Sequence, residues 1–569
     1  MTRTLFTVLV GTTMAVMADS CNAASGADDN AAAARRFVRE HETHVKPLEI
    51  AVNQAWWTAN ISGRDEDFAA KEAAENRLNL TLAEPQRFAQ LKQVKAVAID
   101  DPALARQIQA LYLQYLEKQV DPALLKRMTA KANAIEKAFN VFRAKAGGKT
   151  MTDSEVRQVL AKSRDSAERR RVWEASKEVG SIVAAELRDL VLLRNEAARK
   201  LNFANYHAMQ LALNEQSQAD VLRLFDELDK LTRQPFIALK TECDRRLAAD
   251  CGIEAQALRP WHYHDPFFQE PPAVFEANLD APFAKADILR MCREFYAGIG
   301  LPIDDVLARS DLYEKPGKRP HAFCTDIDRA GTVRVLANIK PNEYWMSTML
   351  HELGHAVYSS KNIPAHLPYV LRTEAHILTT EGVAMMFERF ATCAEWLAAY
   401  GATVEKPAEF DRAGALQRRS KLLVFSRWCQ VMFRFEKEMY RNPDADLNRL
   451  WWDLVEKYQL VRRPEGRHAP DYASKIHIVS APAYYHNYML GQLFACQLHA
   501  AIARDVLHAK TPATAIYTRN PAVGQYMNAK VFAWGRTKPW NEFVRLATGE
   551  ELSAKAFAAE FASQPGTKP

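Results

Sequence analysis

Most of the chain carries apolar residues three or four positions apart, the spacing that places them on one face of an α-helix. Abundant Ala, Leu, Glu, Lys and Arg accompany this spacing in four long stretches, which cover residues 31–79, 102–146, 153–201 and 217–251. Glycines and prolines stand where the helices should end, at Gly147-Gly148, Pro260, Pro271-Pro272 and Gly298 to Pro302. The sequence therefore predicts a mainly α protein.

One segment, residues 321–340, has a different pattern. It contains two short runs of β-branched and aromatic residues, separated by a turn at residues 328–331. It leads directly into an apolar segment that begins at Tyr344. We expect a small β element beside that apolar segment. No internal repeat or low-complexity linker divides the chain, which indicates a single domain over residues 24–569.

The charge pattern argues against a nucleic-acid partner. The chain has 569 residues and a formal net charge of only +6, without a long block of Lys and Arg. Short clusters such as Arg169-Arg170-Arg171 are typical of solvated helix faces.

Residues 1–23 have the pattern of a secretory signal peptide, with an apolar stretch from Leu5 to Ala18 followed by small residues. The apolar stretch is too short to cross a bilayer, so no transmembrane segment is expected. Cleavage near Ala23 is one alternative, and lipid attachment at Cys21 is the other, because ADSC loosely resembles a bacterial lipobox. Either alternative predicts an exported protein, periplasmic or secreted.

Seven cysteines follow Cys21, and they are Cys243, Cys251, Cys292, Cys324, Cys393, Cys429 and Cys496. They are sparse for this length and form no CxxC pair, so neither a disulfide framework nor a structural zinc site is indicated. Cys243 and Cys251 are close enough in sequence to pair, and buried free thiols are an equal alternative.

The apolar segment contains HELGH at residues 351–355. On a helix, His351 and His355 project from one face with their Cβ atoms about 5–6 Å apart. Two imidazole nitrogens at that separation can both reach one zinc ion at about 2.0–2.1 Å. Glu352 lies beside the first ligand, where it can act as a general base on a water without binding the metal itself.

A catalytic zinc needs a third protein ligand. The predicted one is Glu381, because it lies in the apolar part of a second predicted helix, where a carboxylate is costly unless something positive pairs with it. Glu374, seven residues earlier, is expected on the same side of that helix, supporting the ligands. His376 is the competing candidate for the third ligand.

Several blocks of the sequence resemble the angiotensin-converting enzyme family of zinc peptidyl-dipeptidases, over nearly the whole mature chain. The blocks are AWWTANIS at residues 55–62, GKRPHAFC at 317–324, DYASKIHIVSAPAYYHNYMLGQLFACQLHAAI from 471 and GRTKPWNEFVRLATGEEL from 535. The KIHI block followed by a Tyr pair is more specific than HExxH, which many peptidases share. GKRPHAFC also resembles the related thimet oligopeptidase family.

The resemblance implies an almost wholly helical ellipsoid of two lobes around a deep central channel, with the small β element beside the HExxH helix. Residues 31–146 would form lid helices over that channel. A narrow channel admits flexible oligopeptides and excludes folded proteins. One zinc ion per chain is implied, and we expect a monomer.

The resemblance also implies roles for matching positions near the metal. The implied zinc ligands are His351, His355 and Glu381. Glu352 would be the general base. His321 and Ala322 would line the strand edge on which a peptide adds as an extra strand.

Further roles are implied in the SKIHI and YYHNY blocks. Lys475 and Tyr485 would hold the substrate's terminal carboxylate. His477 would hydrogen-bond the substrate backbone. Tyr488 would donate to the developing oxyanion.

The sequence departs from the family pattern around the third ligand. The gap between His355 and Glu381 is about two residues longer than in the family, which predicts an enlarged loop at residues 362–368. Met385 occupies the place, four residues after Glu381, of an acidic partner. The sequence names no substitute for that partner.

Two further departures concern substrate and chloride. The glutamine that helps the family hold the terminal carboxylate is missing from residues 261–268, where Tyr263 is expected to take its place. Asn487 stands where the family often has a chloride-binding arginine, so the resemblance does not support chloride activation.

The expected function is zinc-dependent hydrolysis of oligopeptides with release of C-terminal dipeptides. An endo-acting oligopeptidase of the thimet type is the alternative enzyme, because it shares the metal and the base. An inactive peptide-binding homologue is the non-enzyme alternative. The presence of both Glu352 and Tyr488 argues against it, because a binding module does not need a base.

Overall fold

The structure is a computed structural model that describes residues 13–275 and 278–561. Residues 1–12 of the predicted signal segment lie outside the described residues, as does the side chain of Cys21. Among the helices that are described, none is long and apolar enough to cross a membrane.

The first eleven helices are α1 (Thr13–His44), α2 (Lys46–Ser62), α3 (Asp65–Leu82), α4 (Pro85–Lys95), α5 (Pro102–Glu117), α6 (Pro122–Val141), α7 (Asp153–Lys162), α8 (Ser166–Lys200), α9 (Tyr206–Leu213), α10 (Gln218–Cys251) and α11 (Ile288–Gly298). The others are α12 (Asp304–Leu307), α13 (Glu343–Val357), α14 (Ile377–Glu388), α15 (Ala394–Ala399), α16 (Pro407–Arg441), α17 (Leu447–Leu454), α18 (His477–Ser480), α19 (Tyr485–Asp505), α20 (Pro521–Tyr526), α21 (Trp540–Thr548) and α22 (Lys555–Ala559). In the part of the chain that the structure describes, four short strands accompany them: β1 (Ala144–Ala146), β2 (Lys149–Met151), β3 (Phe323–Asp326) and β4 (Val333–Leu336). The prediction of a mainly α protein is confirmed.

The predicted helical stretches are divided more finely than their periodicity indicates. Gly63 separates α2 from α3 by adopting a left-handed φ of +67°, and its N–H donates to Ala59 as a helix C-cap. The predicted end of the 102–146 helical stretch was wrong, because α6 ends at Val141 and residues 144–146 form β1, which pairs with β2. Gly147 and Gly148, with φ of +56° and +77°, form the turn of that hairpin.

The predicted β element beside the HELGH helix is present. β3 and β4 form an antiparallel hairpin in which Phe323 pairs with Leu336 and Asp326 with Val333. Asp311 covers the outer edge of β4 by bridging to Leu336. In residues 13–275 and 278–561, no strand pairs with the other edge of β3. Helix α13 contacts β3 directly.

Helix α2 packs on the β3–β4 hairpin. The Trp56 ring lies 4.1 Å from the Phe323 ring, and Trp57 meets Phe323 edge-on at 6.1 Å. The Asn53 side-chain amide donates to the carbonyl of Asp326 at 3.2 Å. The N-terminal helices therefore reach the β element through a defined contact.

The N-terminal helices have a hydrophobic core of their own, separate from the main one. It joins α1, α4 and α5 through fully buried residues such as Leu91 and Leu111 and is closed by Leu371. The main core extends from α6 to α22. The lid function predicted for residues 31–146 stays a prediction.

Helix α14 is the central element of the main body, packed between α13 and α19. Both contacts are close because glycines stand at the crossings. A Cβ on Gly354 of α13 would lie 2.7 Å from the Cα of Ala384, and one on Gly382 would lie 2.5 Å from the Phe494 ring. The backbones of three helices consequently approach one another around Glu381.

The cysteines do not form disulfides in the described part of the chain, where all seven after Cys21 are free thiols. The alternative of a Cys243–Cys251 pair was therefore wrong, and the alternative of free thiols is confirmed.

Candidate metal centre

The HELGH motif lies on α13, whose N-terminus is capped by Asn342. The Asn342 side chain accepts a hydrogen bond of 2.9 Å from the N–H of Trp345. The apolar side chains of the helix, including Met349 and Leu353, are fully buried in the main core. That burial fixes the rotation of α13 and turns its polar residues towards β3 and α14.

His351, His355 and Glu381 converge, and one ligand atom from each lies within 4.8 Å of the others. The Nε2 atoms of His351 and His355 are 3.2 Å apart, and Nε2 of His351 lies 3.7 Å from an Oε2 of Glu381. Tetrahedral ligands at about 2.0–2.1 Å from a zinc ion lie about 3.4 Å from one another. Two imidazoles and one carboxylate at these separations fit a zinc ion.

Both imidazoles are held in place through their other nitrogen. Nδ1 of His351 bonds to Oε2 of Glu388 at 2.9 Å, and Nδ1 of His355 bonds to the hydroxyl of Thr380 at 2.7 Å. These bonds leave the Nε2 atoms free to bind a metal, as in carboxylate–histidine–zinc arrangements. Glu388 lies seven residues beyond Glu381 and is the acidic partner that Met385 cannot provide.

Helix α14 begins later than the sequence indicated, so neither Glu374 nor His376 has the role considered for it, which was support of the ligands for Glu374 and third ligand for His376. The helix starts at Ile377, so Glu374 lies in the preceding loop, where the hydroxyl of Thr373 donates to it at 2.6 Å. His376 is the N-cap, and its Nδ1 accepts from the N–H of Leu378 at 3.1 Å. It is committed to capping and does not join the three ligands.

The two histidines have opposite protonation preferences in the absence of a cation. Burial lowers the pKa of His351, but the hydrogen bond and charge of Glu388 outweigh burial and raise this pKa to about 9. Burial and the charge of His351 hold the pKa of His355 well below its usual value. A proton on Nε2 of His351 therefore competes with a metal cation at neutral pH.

Glu352 lies beside the three ligands without joining them. It is only 8% exposed, and the N–H of Cys324 in β3 donates to its carboxylate. Burial, opposed by the charge of His351 and reinforced by that of Glu381, raises the pKa of Glu352 to about 7. A carboxyl with this pKa can both accept and release a proton near neutrality.

Tyr488 lies in the first turn of α19, the helix that packs against α14. Its pKa is raised by burial and by the charge of Glu381. Tyr484 interacts with Tyr488, and the two rings meet edge-on at 5.1 Å. Tyr484 was not among the residues predicted for the site.

Lys475 has a glutamine partner, but not the substitute that the sequence indicated. Its Nζ donates to Oε1 of Gln269 at 2.6 Å and lies 5.7 Å from the centre of the Tyr485 ring. Tyr263 was the wrong substitute, because its hydroxyl donates to Asp244 at 2.9 Å in a buried cluster away from Lys475. Gln269 lies one residue beyond the stretch in which the glutamine was expected.

Lys475 is buried and has no carboxylate within ion-pair distance in the described residues. Burial, partly opposed by Asp265, lowers its pKa to about 8. The Tyr485 ring lies 6.0 Å from the Tyr488 ring, so Lys475 connects to the metal centre through two adjacent tyrosines. A buried ammonium without an anion is suited to receive a carboxylate.

The segment between Lys475 and Tyr485 is fixed from two helices. Arg194 of α8 donates to the carbonyls of Ile478 and Val479 at 3.3 and 2.6 Å. Glu436 of α16 accepts from the N–H of Ala483 at 3.0 Å. Within this segment His477 keeps a buried Nδ1 without a partner in the described structure, which leaves that nitrogen available to a ligand.

The other predicted residues lie near the β element or behind the site. His321 is exposed and Ala322 half-buried, directly before β3 and its free edge. Asn487 points away into the core, where its Oδ1 accepts from Gln216 at 2.8 Å. Chloride dependence stays a prediction.

Four contributors to the site were missed, and they are Thr380, Glu388, Gln269 and Tyr484. Glu388 had a detectable signal, because seven residues are two helical turns and place it on the same face as Glu381. Gln269 and Tyr484 each adjoin a motif that was recognised, but only their contacts with Lys475 and Tyr488 distinguish them from neighbouring residues.

Comparisons with known proteins agree with this geometry. A family model described as angiotensin-converting enzyme matches residues 28–238 and 263–564. The angiotensin-converting enzyme of Rattus norvegicus is 22% identical over 453 residues, 72% of this chain and 33% of the rat protein. That of Sus scrofa is 22% identical over 507 residues, 82% of this chain and 38% of the pig protein. The chain therefore spans about a third of the length of these curated relatives.

A shorter match has a different name. The mitochondrial intermediate peptidase of Coccidioides immitis is 24% identical over 213 residues, which is 35% of this chain and 26% of the fungal protein.

Proposed function

The chain belongs to the angiotensin-converting enzyme family of metallopeptidases, and from this premise we propose that it is a zinc-dependent peptidyl-dipeptidase. It would hydrolyse oligopeptides and release dipeptides from their C-termini. The observation that carries this proposal is the position of Lys475. A buried ammonium without an anionic partner lies two tyrosines away from a three-ligand metal centre.

The family is zinc-dependent, and His351, His355 and Glu381 would hold the ion. When bound there, zinc would supply Lewis acidity, which polarises a carbonyl group and makes a water more acidic. Glu388 and Thr380 orient the two imidazoles for this task through their bonds to Nδ1.

Glu352 moves the proton. Its carboxylate takes a proton from the attacking water and gives it to the nitrogen of the leaving amine, which would otherwise depart as an unstable anion. The N–H of Cys324 holds the carboxylate in position during both transfers.

Tyr488 donates a hydrogen bond to the carbonyl oxygen as that oxygen becomes negative. Tyr484, which interacts with Tyr488, would orient the Tyr488 hydroxyl towards the substrate. The pair thus presents one oriented donor, prepared before the reaction begins.

The position of cleavage follows from what holds the end of the substrate. Lys475, Gln269 and Tyr485 bind the terminal carboxylate, so the scissile bond lies at a fixed distance from the chain end. The free edge of β3, with Ala322 and His321 before it, pairs with the substrate backbone as an added strand. His477 adds a hydrogen bond from its unpartnered nitrogen.

A second candidate is an endo-acting oligopeptidase, which the match to a mitochondrial intermediate peptidase favours. The two candidates differ in their need for a free terminal carboxylate. A peptide amidated at its C-terminus is refused by a peptidyl-dipeptidase and cut by an endopeptidase.

The proposed place of action is outside the cytoplasm, supported by the signal-like pattern of residues 1–23. The expected monomeric state and lipid attachment at Cys21 remain predictions.

The deciding experiment compares the zinc-loaded protein with its Glu352→Gln variant on an N-terminally blocked peptide. We expect dipeptide release by the wild type and about 100- to 10,000-fold slower turnover in the variant, with zinc retained. Glu395→Gln, an exposed carboxylate on α15, is the matched control. Near wild-type turnover in Glu352→Gln contradicts the assigned base. Absence of hydrolysis in the zinc-loaded wild type indicates instead the inactive peptide-binding homologue.

A further inference from the structure

A cavity of about 390 Å³ opens beside the metal centre, between α13, α14, α16 and α19. Tyr488 and Glu388 form the wall that it shares with the metal centre. Gln269, the partner of Lys475, belongs to its lining as well. The cavity therefore lies on the side of the site that would hold the residues released from the substrate. Its volume is sufficient for a long side chain.

Three of the charged residues that line this cavity are paired with a neighbour. Arg389 donates to both carboxylate oxygens of Glu560, at 2.9 and 3.3 Å. Glu388 is bonded to His351 at 2.9 Å. Arg389, Glu560 and Glu388 therefore do not need a ligand to balance their charge.

Four charged residues of the lining have no ion pair in the described chain: the carboxylates Glu270 and Glu343, and two cations of α16. Arg418 and Lys421 line the cavity and have no hydrogen bond or ion pair with any residue of the described chain. They are three residues apart on one helix, so their side chains project from the same face. Arg418 is half-buried, and removal from water without a partner is costly for a guanidinium.

The carboxylates nearby do not compensate Arg418. Glu343 and Glu388 interact electrostatically with Lys421, and Glu270 with Lys475, but none of the three forms an ion pair with these lysines. The carboxylate that acts on Arg418 is Glu560, whose two oxygens are already occupied by Arg389. Burial and the like charge of Arg389 lower the pKa of Arg418, as expected for a cation that lacks an anion.

We propose that Arg418, with Lys421 beside it, binds an acidic side chain of the substrate, so that the enzyme prefers peptides with Glu or Asp among their last two residues. This inference rests on the proposed function, because it specifies the substrate class of the same site. A guanidinium is suited to the task, because its planar fork binds both oxygens of a carboxylate.

The test uses N-terminally blocked pentapeptides with a free C-terminal carboxylate. Members of each pair differ only in Glu or Gln at the last or the next-to-last position, and dipeptide release is followed by chromatography. We expect kcat/KM to be about tenfold or more higher for Glu than for Gln at one of the two positions, the discrimination of a charged hydrogen bond.

Variants of α16 assign the preference to Arg418. In Arg418→Gln the Glu to Gln ratio of kcat/KM should fall to near unity. In Arg418→Glu the preference should shift to a peptide with Lys at the same position. Arg412→Gln is the matched control, because Arg412 is exposed on the same helix and lies outside the cavity lining. Thermal melts verify that each variant is folded.

A binding measurement separates failure of the inference from failure of the proposed function. Calorimetry with Glu352→Gln protein compares the two free dipeptides that carry Glu or Gln at the preferred position. Equal kcat/KM values in the wild type, or a preference that survives in Arg418→Gln, overturn the inference and leave the peptidase intact. If no peptide is cut, the proposed function fails. In that case the calorimetry still tests the inference, which is overturned if the two dipeptides bind with equal affinity.

Discussion

Nδ1 of His351 and Oε2 of Glu388 are joined by a hydrogen bond of 2.9 Å, although 37 residues separate them in sequence. Glu388 is the last residue of α14, the helix that also carries Glu381. One helix thus carries a candidate metal ligand and, two turns later, the carboxylate that orients the ring of another candidate ligand. The ring of His351 is fixed before any metal arrives.

Glu388→Gln should weaken zinc binding about 10- to 100-fold, because the amide keeps a hydrogen-bond acceptor but loses the charge that makes His351 basic. Competition with a fluorescent chelator measures the affinity. The pKa of His351 should also fall from about 9, which NMR titration of the metal-free protein would detect. Glu395→Gln serves as the control, and equal zinc affinities in the two variants contradict the role of Glu388.

The affinity for peptides with a free C-terminus should decrease as the pH rises above about 8, where Lys475 loses its proton. The pKa of Lys475 is lowered, so its charge is lost at a lower pH than that of a free lysine. The effect should appear in kcat/KM, which reports the free enzyme. Lys475→Met should remove this alkaline limb. An unchanged limb in that variant would assign it to another group.

Variants of Tyr488 and Tyr484 should distinguish the residue that donates a hydrogen bond to the oxyanion from the residue that orients this donor. Tyr488→Phe removes the donor to the oxyanion and should reduce kcat about 100- to 1,000-fold with a smaller change in KM. Tyr484→Phe leaves that donor in place but less ordered, so kcat should fall by less. Steady-state kinetics on one blocked peptide compares them. A larger loss in Tyr484→Phe than in Tyr488→Phe would reverse the assignment.

Gly354→Ala should destabilise the protein, because the new Cβ would lie 2.7 Å from the Cα of Ala384 and force α13 away from α14. Overpacking of this kind costs about 1–3 kcal/mol in the free energy of unfolding, partly offset by the higher helix propensity of alanine. Thermal melts of the metal-free protein measure the change.

Gly298→Ala, in α11, is the control for the propensity gain. Its nearest new contact is longer, 3.3 Å to the Cα of Arg519, so the loss should be smaller. Zinc affinity should fall in Gly354→Ala as well, because Glu381 moves with α14. Equal melting temperatures in the two variants would contradict the close crossing.

The helices and the HELGH pair could be predicted because they depend on local periodicity. A separation of four residues places His351 and His355 on one face of a helix whatever surrounds them. In the structure their Nε2 atoms are 3.2 Å apart. The β3–β4 hairpin was predictable for the same reason, from two short runs and a turn. Glu374 was expected on the same helix as Glu381, but that helix begins at Ile377. The expectation was wrong because the ends of a helix are the least certain part of a sequence pattern.

The sequence by itself determined the helical class and the placement of His351 and His355 on one helix face, since both follow from spacing along the chain. It favoured Glu381 over His376 as the third ligand, and the structure brings Glu381 beside the two histidines. Only the tertiary structure decided that Glu388 orients His351, that Gln269 pairs with Lys475 and that Arg418 is left without an anion. These relationships join segments distant in sequence. They depend on how closely helices pack, which the glycines at the crossings permit but which no local periodicity encodes.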